Sequence, residues 1–94
     1  MVPDREVLLR LQNNIKLRLL QAGGSEAAFE VLRRMRLLAP HHADLWRETG
    51  MLASQIGRLT AAIAALETAL RLDPAAEWAH EATLTLRQLK GRLN

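Results

Sequence analysis

The residues of this 94-residue chain that could do chemistry are three histidines, a cluster of arginines, two tryptophans and a set of leucines outside the expected core. His41, His42 and His80 raise the question of a metal. Adjacent histidines do not share a helix face, and no cysteine or close carboxylate completes a ligand set, so they read as loop residues and no metal is expected. The chain has no cysteine, which excludes disulfides, thiolate zinc sites and a cysteine nucleophile within it. No other nucleophile–base pair stands out, so neither catalysis nor a cofactor is expected.

Arg33, Arg34 and Arg36 would suit a phosphate, but at 100° per residue they spread over more than one helix face. Glu30 stands four residues before Arg34 and can pair with it. A solvated helix face is the preferred reading. The net charge of +3 comes from 13 basic and 10 acidic residues. The signs are interleaved, with no polybasic block and no alternation of basic and aromatic residues to stack bases. Nucleic-acid binding is therefore only a weak alternative. Trp46 reads as packing within its helix pair. Trp78 reads equally well as packing or as an exposed hot spot.

The leucines are more informative. Leu9, Leu17 and Leu20, with Asn13 among them, lie off the stripe that should face the core. A helix packed on one side should be polar there. Either a partner or another part of the molecule has to cover them.

Helices must position all of these residues. Leucine and alanine supply most of the 49% hydrophobic content, and three prolines and five glycines leave few breakers, so the chain reads as all-α. Asp4 is a fitting N-cap, and Val7, Leu8, Leu11, Ile15 and Leu19 form the core stripe of a helix running to about Gln21. Gly23-Gly24 ends it. Ser25 starts a second, with Ala28, Val31, Leu32, Met35 and Leu38 inward and Pro40 after it. Leu45, Thr49, Leu52, Ala53 and Ile56 line a third, which Gly57 ends. Ala62, Leu66 and Ala69 line a fourth, before Pro74. Trp78, Ala82, Leu86, Leu89 and Leu93 line a fifth, over about 76–93. Loops of two to four residues force antiparallel neighbours. Gly50, inside the third helix, costs about 1 kcal/mol against alanine and so marks a close approach.

The pattern repeats after 34 residues. Leu11, Gln21, Gly23, Ala27, Ala28, Leu32, Leu38 and Pro40 recur as Leu45, Gln55, Gly57, Ala61, Ala62, Leu66, Leu72 and Pro74. Average residue usage would give roughly two such identities, not eight. The period and the placement of Trp46, Gly50, Gly57, Ala62, Ala69, Asp73 and Pro74 resemble the tetratricopeptide repeat. Ala53 and Leu66 are smaller than the family's usual residues. The first repeat resembles it less, with Gln12, Lys16 and Ser25 departing from the pattern. The resemblance implies a single domain over 1–94, an α-solenoid fragment of two repeats (about 9–40 and 43–74) and a capping helix (about 76–93). It also implies a concave groove that binds protein. The groove would be lined by Leu9, Asn13, Leu17, Leu20, Arg47 and Met51, with Arg47 and Asn13 as polar anchors. The family's carboxylate clamp is absent, since Leu17 and Glu48 stand where it needs other residues.

The run from Asp4 to Lys16 is similar to the opening of the tetratricopeptide tail of a bacterial transglutaminase-like family. That similarity implies a papain-like domain as a possible upstream partner, none of whose active-site residues is present. The leading expectation is a non-catalytic protein-interaction module. A self-associating structural repeat, forming a homo-oligomer through its uncapped ends, is the second. Met1 to Arg10 does not resemble a signal peptide, and no apolar run nears the ~20 residues of a membrane span. No membrane association is expected, and the cytoplasm is the default compartment.

Overall fold

A computed structural model describes residues 4–93. Met1–Pro3 and Asn94 lie outside them, and with them the two ends of the expected domain and the start of the Met1–Arg10 segment. Five helices follow in order: α1 (Arg5–Gln21), α2 (Ser25–Leu38), α3 (Ala43–Gln55), α4 (Leu59–Leu72) and α5 (Ala79–Leu93). The described residues contain no strand. Each helix packs on the next, and the stack measures 49 × 30 × 19 Å. This elongation suits a fold in which each unit touches only its neighbours.

The punctuation works as chemistry requires. The Asp4 carboxylate accepts from the Val7 N–H at 2.9 Å and caps α1. Gly23 and Gly57 adopt φ of +79° and +80°, the left-handed conformation that glycine takes without strain. At the first, the N–H of Gly24 bonds the carbonyl of Leu19 and that of Gly23 bonds Leu20. At the second, Arg58 bonds Ala53 and Gly57 bonds Ser54. These are two Schellman caps, 34 residues apart.

The core is the inner faces of α2, α3 and α4, closed by Ala82 and Leu89 of α5. Phe29, Ile63 and Ala65 are buried as well, beyond the expected stripes. Gly50 has the reason its position suggested. A Cβ there would lie 2.6 Å from Cγ of the fully buried Leu66 and 3.2 Å from the Ala62 carbonyl oxygen.

Some expectations fail. The stripe assigned to the core of α1 is largely outside: Val7, Leu11 and Ile15 are exposed and Leu8 is half-buried. The buried residue of α1 is Lys16, flanked on that side by Leu9 and Leu19, which touch the core. Lys16 can go inward because a carboxylate from α3 meets it. Leu93 of α5 is exposed too. The capping helix, expected from about residue 76, begins at Ala79. Ala75 and Ala76 offer no side chain to cap a helix. Instead the chain makes two tight turns, from Asp73 to Ala76 and from Ala76 to Ala79. The last connection is therefore six residues long, not two to four.

Candidate functional site

One face of the stack carries a groove between α1 and α3, which run in the same direction two helices apart. At its amino-terminal end is a cleft of about 370 Å³. Leu9 and Asn13 of α1, Met35 of α2 and Leu45 of α3 line it, with Glu6, Arg10 and Asp44 among its charged residues. A second cleft, of about 200 Å³, is lined by Leu20 of α1 and by Arg47, Met51 and Gln55 of α3.

An ion pair stands between the two. The Lys16 ammonium donates to both carboxylate oxygens of Glu48, at 2.9 and 3.1 Å. The lysine side chain is 5% exposed and that of the glutamate 34%. Glu48 lines both clefts. Taking an ammonium out of water is costly unless a well-placed anion meets it, and the two-oxygen contact supplies that anion.

Of the six residues expected to line the groove, Leu9 and Asn13 fall in the first cleft, and Leu20, Arg47 and Met51 in the second. Leu17 lines neither and is exposed. Leu9 differs from expectation in one respect: it also packs against the core. Lys16 and Glu48 were not expected to line the groove. Their signal was their spacing. In parallel helices one repeat apart, residues about 34 apart come side by side, and these two carry opposite charges 32 apart. Glu26 and Arg58 form an ion pair at the same separation.

Arg47 is held in place from behind. Its guanidinium carbon lies 5.7 Å from the centre of the Trp78 ring. The Trp78 indole N–H in turn donates to the Asp44 carboxylate at 2.6 Å. Nε of Arg47 is buried and has no hydrogen-bond partner. Trp78 is thus a packing and positioning residue.

Trp46, expected to pack within its own helix pair, is half-buried and also reaches back to the preceding repeat. Its indole N–H donates to the Pro40 carbonyl at 2.8 Å, and the Arg36 guanidinium carbon lies 4.5 Å above its ring. It fastens the turn between the two repeats. Burial, and secondarily Arg33, pushes the Arg36 guanidinium below its ordinary value, while Glu30 acts the other way. Glu30 pairs with Arg33 at 3.2 Å, not with Arg34. The three arginines therefore make no joint patch, since Arg36 is spent on Trp46.

His41 and His42 lie in the turn before α3, with His42 Nε2 4.0 Å from the Asp44 carboxylate. Among the described residues, no three His, Asp or Glu side chains come together in a way that would hold a metal ion. No helix of the described residues is long and apolar enough to cross a membrane.

A family model described as tetratricopeptide repeat matches residues 15–87, which span the end of α1, all of α2, α3 and α4, and most of α5. No curated protein matches the chain.

Proposed function

The chain belongs to the tetratricopeptide repeat family, and on that premise we propose that it is a non-catalytic module that binds a peptide segment of another protein along the α1–α3 groove. The observation that supports this reading most is the row of two clefts, apolar on the floor and flanked by charged side chains. Such clefts accept apolar side chains, and a few placed polar groups fix their orientation. Arg47, with its planar fork and a buried Nε lacking a partner, would orient a carboxylate or carbonyl of the ligand. A finer reading rests on residues 4–16 alone. It makes a transglutaminase-like domain the partner, in a bacterial cytoplasm.

The test is selection of a displayed random-peptide library on the purified chain. Enriched peptides should lose binding to the Leu20→Glu and Arg47→Ala variants, with helicity unchanged. Failure to enrich any peptide, or peptides indifferent to both variants, would remove the groove reading.

A further inference from the structure

The first helix carries an apolar strip that nothing in the described fold covers. Val7, Leu11 and Ile15 are 39, 51 and 43% exposed. They stand four residues apart and so share one side of α1. That side points away from Lys16 and the groove.

The internal repeat shows what this side looks like when it is covered. Leu11 and Ile15 correspond, 34 residues on, to Leu45 and Thr49, which are 4 and 2% exposed. The difference lies in the neighbours. α3 packs between α2 and α4, whereas α1 packs chiefly on α2 and meets α3 on its Lys16 side. Both helices have the apolar face, and only in α3 does a second neighbour cover it.

The charges at the ends of the strip say what that neighbour is. Asp4, Val7, Leu11, Ile15 and Arg18 follow at spacings of three, four, four and three, and so share one side of the helix. The series is symmetric about Leu11 and opposite in charge at its ends. Asp4 lies seven residues before Leu11, and Arg18 seven after it. Val7 and Ile15 each lie four away. A second α1 laid antiparallel across the first, with the two-fold axis at Leu11, sets Val7 against Ile15. It also sets each Asp4 carboxylate opposite the other copy's Arg18. A parallel arrangement would instead bring like charges together. Asp4 uses one oxygen to cap α1, and Arg18 makes no ion pair among the described residues.

We propose that this face of α1 is the self-complementary contact of a homodimer, its occupant being α1 of a second copy. Such a contact uses the same patch on both subunits, which is what the symmetric series provides. It leaves the groove on the other side of α1 open.

The absence of cysteine gives a direct test. Leu11→Cys places one thiol on the two-fold axis, and Leu17→Cys places one at a comparably exposed position off it. Under mild oxidation Leu11→Cys should form a disulfide-linked dimer, and Leu17→Cys should not. In sedimentation equilibrium the wild-type chain should show a monomer–dimer equilibrium. Leu11→Glu should weaken it at least tenfold and Arg18→Glu measurably, both with unchanged circular dichroism. The proposal is overturned if the wild type stays monomeric to millimolar concentration. It is also overturned if the dimer ignores Leu11→Glu, or if Leu17→Cys cross-links in preference to Leu11→Cys. A monomeric wild type whose Leu11→Glu variant loses an unlike protein would assign the face to that protein and so reject the second copy.

Discussion

Lys16 and Gly50 occupy the same place in the two repeats and solve it in opposite ways. At Gly50 the second helix of the pair comes so near that a methyl group has no room. Gly50→Ala gains about 1 kcal/mol of helix propensity. It loses more, because Leu66 is fully buried and cannot move aside. The expected net cost is about 1–2 kcal/mol in urea unfolding. At Lys16 the space is filled by a long stem whose ammonium reaches Glu48. Glu48→Ala would strand that ammonium in the interior. A fully buried pair broken this way costs about 3–5 kcal/mol, and the partial exposure of Glu48 reduces the expected cost to about 2 kcal/mol. Lys16→Met keeps the stem and removes the charge, and Glu48 can still meet water. Its stability should stay within about 1 kcal/mol of wild type. Equal losses for Glu48→Ala and Lys16→Met would mean that packing, not charge, holds the site.

At the scale of elements, helix ends were the most legible feature, because a single residue type sets each one. Gly23 and Gly57 have to be glycine for a reason local to themselves, their positive φ. Gly57→Ala should lower stability by about 1 kcal/mol, the cost of a left-handed alanine, with the helix pattern unchanged by circular dichroism. The start of α5 was less legible. Trp78 matches Trp46 in sequence, but it precedes its helix and bonds sideways to Asp44. The buried face of α1 was not legible from periodicity. The helix offers two candidate stripes, one purely apolar and one containing Gln12 and Lys16. Choosing the apolar one is sound for a helix covered on both sides. Here it fails, because none of the described helices covers the apolar side and Glu48 draws Lys16 inward. Of the six residues expected in the groove, five line a cleft, but the ion pair between the clefts was missed.

For the whole molecule, cohesion passes from neighbour to neighbour. At the carboxyl end, the Trp78–Asp44 hydrogen bond and the Arg47 guanidinium over the Trp78 ring join the residue before α5 to α3, beyond its adjacent helix. Trp78→Phe removes the donor and keeps the ring over Arg47. Amide exchange in α5 should then quicken, by the equivalent of about 1 kcal/mol. Exchange in the α1–α2 hairpin should not change. If both ends quicken together, the stack opens as one unit and the nearest-neighbour picture is wrong.

The Lys16–Glu48 pair has a last consequence, for the length of whatever lies along the groove. A peptide that enters both clefts must pass over the pair, so its two anchoring segments are tethered guests, and the residues between them act as a spacer. Occupation of one cleft then sets the effective concentration of the second segment at the other. A spacer too short to cross forfeits the second contact, and one that is too long dilutes it. Between those limits the pair is a ruler, sorting peptides by the distance between two motifs as well as by the motifs themselves.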